Sequence, residues 1–167
     1  MATNKVYALP EAAVTFKDSD ATYTLALNNL ANGIGVISDQ WDRGTGAKPI
    51  KYLMRCVFAF EATHTIVVGS IINVYLATSD GTNIDGTVGA AAGALVANQC
   101  LNLIGPFPVI VDVVAADTKI TATFLVEIYS RYVSVGVMNN TADHMAAHDD
   151  ASLISFTPYT DEIQAAA

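Results

Sequence analysis

From Ile120 to Asn140 the chain reads ITATFLVEIYSRYVSVGVMNN, and its apolar positions predict two β-strands joined at a tight corner. β-Branched and aromatic residues dominate Thr121 to Tyr129, as suits a pleated, half-buried surface. Beyond the corner Tyr132 is out of phase. Val133, Val135 and Val137 then take one face, and Ser134 and Gly136 the other. A period of two predicts a strand with one wet face. Asn139-Asn140-Thr141 ends it with turn chemistry. Two adjacent strands this apolar require a second sheet to pack against, and most of the remaining chain has the pattern to supply one.

Residues 1 to 20 read as an N-terminal arm rather than a packed element, because Pro10 interrupts them and Lys17-Asp18-Ser19-Asp20 has turn composition. The folded domain is expected over residues 21 to 158. It opens with ATYTLALNNL, where Tyr23, Leu25 and Leu27 alternate with Thr22, Thr24 and Ala26 as in a strand. Gly33 to Ser38 predicts a short strand, and residues 39 to 49 a loop that holds the only tryptophan. Lys51 to Phe60 predicts a long strand, and Ala62 to Thr65 breaks the run. Ile66 to Ala77 is apolar nearly throughout, with Gly69 marking a bulge or bend. In its closing part Ile72, Val74 and Leu76 share one face, while Asn73, Tyr75 and Ala77 share the other.

Residues 78 to 89 are turn-rich, and the Ala-rich stretch from 90 to 99 predicts a loop with one helical turn, weakened by Gly93. Pro106 and Pro108 confine Leu101 to Val114 to a sheet edge, ahead of a strand proper at Val109 to Val113. Residues 141 to 151 predict a polar loop. Ser152 to Pro158 predicts a last strand, with Leu153 and Ser155 opposite Ile154, Phe156 and Pro158. Residues 159 to 167 form a short acidic C-terminal tail. About eight strands, turn signals between them and no amphipathic helix predict an all-β fold, an antiparallel β-sandwich of jelly-roll type. The lack of an internal repeat argues against a propeller or a β-helix.

Composition changes this picture in one respect. The chain is 167 residues long, 52% apolar and only 14% charged, against about 25% charged in ordinary globular proteins. One domain of this length buries roughly two thirds of its unfolded surface without staples. So few charges point to a surface covered by copies of the chain or by a partner; a coat of Thr, Ser, Asn and Gly is the alternative. The net charge of −8 repels phosphate and argues against nucleic acid as a partner. Cys56 and Cys100 sit in apolar runs without CxxC spacing and read as buried free thiols, with a single disulfide as the other possibility. The opening MATNKVYALPEAAV lacks the apolar core of a signal peptide, and no run of about 18 apolar residues offers a membrane span. Synthesis and folding in a cytoplasm are expected.

Few stretches invite chemistry. The loop from Asp80 to Gly86 combines Asp80, Asn83 and Asp85 with two glycines, as calcium loops do, but Gly81 and Ala92 stand where an EF-hand needs acids. Turn formation accounts for it without a metal. His144 and His148 have the four-residue spacing of zinc proteases, with Met145 in place of the glutamate base; Asp143, Asp149 and Asp150 lie nearby. A flexible loop is the simpler reading, and His64 is expected to face solvent. Gly44-Thr45-Gly46-Ala47-Lys48 lacks the spacing of a phosphate loop. Trp41, beside Gln40, Asp42 and Arg43, would suit sugar stacking, although a lone tryptophan in a β protein is more often a core or interface anchor. Asn139-Asn140-Thr141 fits a glycosylation sequon, which matters only in a secreted chain. No reaction-specific constellation assembles, so no catalytic, cofactor-binding or metal residue is assigned and no cofactor is expected.

The stretch RYVSVGVMNNTADHMAAHDDASLISFTPYTDEIQ joins a strand ending in Val-x-Asn-Asn-Thr to a polar loop and a last strand ending Phe-Thr-Pro-Tyr-Thr-Asp-Glu. It is similar to small virion proteins of tailed bacteriophages, as is NVYLATSDGTNIDG upstream, and together they cover about a third of the chain. The resemblance implies a non-enzymatic β-sandwich that decorates the outer capsid surface as a cement protein, or forms part of the tail. Such proteins commonly act as trimers where capsomers meet and stabilise the shell. The implied partners are the major capsid protein and further copies of the chain, trimers favoured, with no nucleic acid and no membrane. The implied place is the virion, reached from the host cytoplasm. The short arms, residues 1 to 20 and 159 to 167, would drape over neighbouring subunits. A carbohydrate- or receptor-binding module of a tail or tail fibre, using Trp41, Tyr129 and loop carboxylates, is the alternative. A metal enzyme using His144 and His148 is a third.

Overall fold

The computed structural model describes residues 12–46, 48–61, 66, 68–85, 93–95, 103–108, 118–147 and 151–159. The strands, in chain order, are β1 (Val14–Phe16), β2 (Gly35–Ile37), β3 (Trp41–Asp42), β4 (Lys51–Ala59), β5 (Ile71–Ser79), β6 (Gly93–Ala94), β7 (Leu103–Pro108), β8 (Lys119–Glu127), β9 (Tyr132–Asn140) and β10 (Leu153–Pro158). There is no helix among the described residues. One sheet has four strands in the order β1-β10-β4-β8. The other has six: β6-β2-β9-β5-β7, with β3 beside β9 as well. Every strand pairing is antiparallel.

The two sheets bury one core between them. β4 forms where a long strand is expected: Tyr52, Met54, Cys56 and Phe58 point inward and are fully buried, and Val57 and Ala59 on the other face are buried as well. The inward four meet Phe16, Ile154 and Phe156 from their own sheet, and Ile72, Val74, Val133, Val135 and Val137 from the other. Trp41 joins them at 3% exposure, edge-on to Tyr52 and Phe16. This aromatic group also contains Phe156, within 6.4 Å of each of the three rings.

The other face of the six-stranded sheet is covered as well. Tyr75 and Ala77 form a second cluster there with Ile37, Ile84 and Leu95. The face of β9 expected to be wet is therefore dry: Ser134 is fully buried and Gly136 lies under Leu95. A Cβ on Gly136 would stand 2.9 Å from Leu95 Cδ1, so glycine is there for close approach rather than for solvent.

The corner between β8 and β9 departs from expectation in a second way. The two strands do not pair; β8 lies on β4 in one sheet and β9 on β5 in the other. The corner carries the chain across the core, so the second sheet is partly built by the pair itself. β2 and β3 lie along the same edge of β9 with one extra residue between them, Ile37 facing Gly136 and Trp41 facing Val133. Ser38 fills the resulting bulge by accepting the Val135 N–H on its own Oγ at 2.9 Å.

Other differences have local causes. β1 falls within the stretch expected to be an arm and pairs with β10, placing Phe16 in the core. Ala21 to Leu30 forms no strand, although Leu25 and Leu27 are buried as their alternation predicts. Side-chain carboxylates take the place of a ladder there: Asp39 accepts from the Thr24 amide, Asp18 from the Asn28 amide and Asp20 from the Thr22 amide. Gly69 turns the chain at φ 94°, so β5 begins only at Ile71. β3 lies inside the loop expected over 39 to 49. β7 contains both Pro106 and Pro108 and ends its sheet, as prolines require. The expected break at 62 to 65, the helical turn within 90 to 99 apart from 93–95, the strand at 109 to 113 and the tail beyond Tyr159 lie outside the described residues.

Candidate functional site

The densest polar construction surrounds Arg43, just after β3. Its guanidinium is buried and donates through Nη1 to the carbonyls of Ile128 (3.0 Å) and Ser130 (2.8 Å). Nη2 donates to the Tyr52 hydroxyl at 2.8 Å and to the Pro49 carbonyl. The cation also sits over the rings of Trp41 and Tyr52, 5.8 and 5.2 Å from their centres. Arg43 thus ties the β8–β9 corner to the loop ahead of β4 and to β4 itself. Nε is buried without a partner. Carbonyl dipoles and π faces stabilise this charge, and the planar, many-donor guanidinium suits several carbonyls at once.

On the outside of the same corner Arg131 grips Asp42 with two 2.7 Å hydrogen bonds and stacks 4.6 Å from the centre of the Tyr132 ring. The Asp42 carboxyl is held down to about 2, first by Arg131 and then by the Gly44 amide. An open cleft of about 240 Å³ lies here, lined by Arg43, Gly44, Gly46, Lys48, Ile50, Ile128, Tyr129 and Arg131. Tyr129 is 75% exposed, and its hydroxyl donates to Glu127 at 2.6 Å. The glycine-rich turn that resembled a phosphate loop forms one wall of this cleft, with φ of 77° at Gly44 and 101° at Gly46. No helix follows it among the described residues.

The remaining candidates are structural where they are described. Trp41 is a core anchor and presents no stacking face to solvent. Asp80 accepts the amides of Thr82 and Asn83 at 2.7 and 2.9 Å, and Asp85 accepts from the Thr78 hydroxyl at 2.6 Å. Both carboxylates therefore build the turn, and Gly86 lies outside the described residues. His144 is exposed, whereas Asp143 beside it is buried and accepts the His144 amide at 2.8 Å. His64, His148, Asp149 and Asp150 lie outside the described residues. Among those described, no three His, Cys, Asp or Glu residues gather as metal ligands would. Burial pushes the Cys56 thiol up to about 12, which removes its nucleophilic form at ordinary pH. Cys100 is not among the described residues.

The loop after β9 is packed rather than loose over 141–147. Asn139 is fully buried and donates to the carbonyls of Leu30 and Asp143, each at 2.8 Å. Its Oδ1 accepts the Thr141 amide at 3.0 Å and hydroxyl at 2.7 Å. The sequon asparagine is thus consumed by the fold. Met145 and Ala146 are buried beneath the loop, bonded to Leu30 and Ala59. The roles of Arg43, Asn139 and Ser38 escape the sequence reading. Ser38 and Asn139 do end apolar runs, which is a signal, whereas Arg43 lies in a polar stretch that carries none. No helix is long and apolar enough to cross a membrane among the described residues. No family model, no curated protein and no solved structure matches this chain.

Proposed function

We propose that this chain is a non-enzymatic structural protein of a bacteriophage virion, a decoration protein that binds the outer shell between capsomers and stabilises it. The observation that carries this reading is the exposed apolar corner of the four-stranded sheet. Leu53 and Leu125 face each other across β4 and β8, and Leu125 is 58% exposed. Tyr159, also exposed, stands beside Lys51 in the next row, and exposed Ile50 and Tyr129 follow beyond the Lys51–Glu127 pair. The Ile128 amide bonds Ile50 beside Tyr129, and the Tyr159 amide bonds Lys51. Apolar surface gathered at one corner, on a chain with so few charges, suits a subunit that works against neighbours. The similarity of residues 131 to 164 to small virion proteins points the same way.

We infer further that the sandwich is of jelly-roll type. The support is that its pairs nest: β1 with β10, β2 with β9, β4 with β8 and β5 with β7. The pairs β10–β4 and β9–β5 then join the nested hairpins into two sheets. A long hairpin rolled over on itself has this order.

The second reading, a glycan- or receptor-binding module of the tail, rests on the cleft beside Tyr129, since Trp41 is buried. Antibody labelling of intact virions in the electron microscope separates the two. Label spread over the capsid is the expected result. Label confined to the tail tip supports the second reading, and virions without label overturn both.

A further inference from the structure

Strand β8 ends the four-stranded sheet, with β4 on one side and no described strand on the other. The Ile128 amide donates to Ile50 at 2.8 Å, and this sets the phase of the ladder. Val126, Phe124, Ala122 and Ile120 turn their backbone groups toward β4, while Lys119, Thr121, Thr123, Leu125 and Glu127 turn theirs away. The side chains of these five residues are all exposed. The strand is nine residues long, contains no proline, and pairs with β4 without a bulge. Its only charges are at its ends. Natural edges are usually blunted by a central charge, a proline or a bulge, and an edge without them is a template for another strand.

We propose that β8 pairs with β8 of a second copy, antiparallel, about a two-fold axis through Thr123. Only registers that set odd-numbered residues against odd-numbered residues bring outward donors to outward acceptors. Among these, centring on Thr123 uses the whole strand and sets Thr121 opposite Leu125 of the second copy. It also sets Lys119 opposite Glu127 of the second copy, twice by symmetry. The strand is thus complementary in charge to its own antiparallel image, and the contact joins two four-stranded sheets into one. It extends the surface next to Leu53 and Leu125. The chain's net charge of −8 repels a second copy at a distance, but salt screens that repulsion beyond about 8 Å at physiological strength. The terminal pairs act well inside that range. This contact belongs to the isolated protein and stands whether or not the chain coats a particle.

Sedimentation velocity over a concentration series in about 0.15 M salt tests it, with the wild type, K119E, E127K and an equimolar mixture of the two variants. The wild type should contain the two-fold contact, and each variant alone should weaken it about tenfold or more, because two attractive pairs become two repulsive ones. The mixture should recover it, since each chain then meets its opposite. T123P removes the outward amide at the axis, and an edge strand tolerates proline. It should abolish the contact while circular dichroism stays that of the folded wild type. A wild type that remains monomeric throughout overturns the proposal, and so does an oligomer that none of these variants weakens.

Discussion

Arg131 and Asp42 hold each other by two 2.7 Å hydrogen bonds, joining the residue ahead of β9 to the last residue of β3 beside the cleft. The pair stands next to Arg43, whose own amide donates to the Arg131 carbonyl at 3.0 Å, so both guanidiniums act on the same corner. Arg131 and Asp42 are both well exposed, which makes the pair a matter of geometry more than of stability.

Its pH dependence follows from the lowered Asp42 carboxyl. The folded protein keeps this group ionised down to about 2, against an ordinary 3.8. The folded state therefore benefits fully above the ordinary value, and the benefit is lost as pH falls through the window from 3.8 to about 2. An NMR titration should place the Asp42 midpoint near the lower value and move it up in Arg131→Ala. A wild-type midpoint in the ordinary range would show that the pair does not form in solution.

Arg43 should matter far more to stability. Arg43→Ala removes the donor from the carbonyls of Ile128, Ser130 and Pro49 and from the Tyr52 hydroxyl. The expected loss is about 3 kcal/mol or more in urea unfolding, given the cost of stranding several buried polar groups. Arg43→Lys keeps the charge but loses the fork that reaches both sides, and should recover only part of the loss. Equal stability of wild type and Arg43→Ala would mean that water replaces the guanidinium freely.

Asn139 uses all of its side-chain hydrogen-bonding capacity inside the fold, donating to two carbonyls and accepting from Thr141. Asn139→Asp turns an acceptor toward the carbonyls of Leu30 and Asp143. We expect it to destabilise by about 3 kcal/mol at neutral pH. A carboxyl facing two carbonyls favours its protonated form, so its folded-state value is raised and the deficit should shrink as pH falls below it. Urea unfolding at neutral and acid pH measures both effects, and a deficit that does not vary with pH would contradict the arrangement.

Part of the fold is legible in the chain where a strand carries a period of two. The valines of β9 and the inward Ile154 and Phe156 of β10 follow directly from it. What the pattern does not carry is the identity of distant partners. Ser134 and Gly136 look like a solvent face, but Leu95 arrives from far along the chain to cover Gly136, and Ser134 is buried where its hydroxyl donates to the Asp39 carbonyl. β8 and β9 read as two strands joined at a tight corner, and Arg43 and the Ile50 carbonyl hold that corner as a crossing between sheets. The alternation in ATYTLALNNL predicts which residues point inward, but aspartate side chains take up the backbone donors that a ladder would need. At the corner, Trp41 was legible as an anchor by residue type. The buried role of its neighbour Arg43 was not, because a cation held by carbonyls leaves no acidic partner to see in the sequence.

A structural component of a virion coat, as proposed above, is carried by the particle in many copies. The most direct measurement is its copy number in purified, salt-washed particles, by quantitative mass spectrometry against the main shell subunit. The account predicts an amount comparable with that subunit, retained through washing. Absence from washed particles, or only a few copies in each, would contradict it.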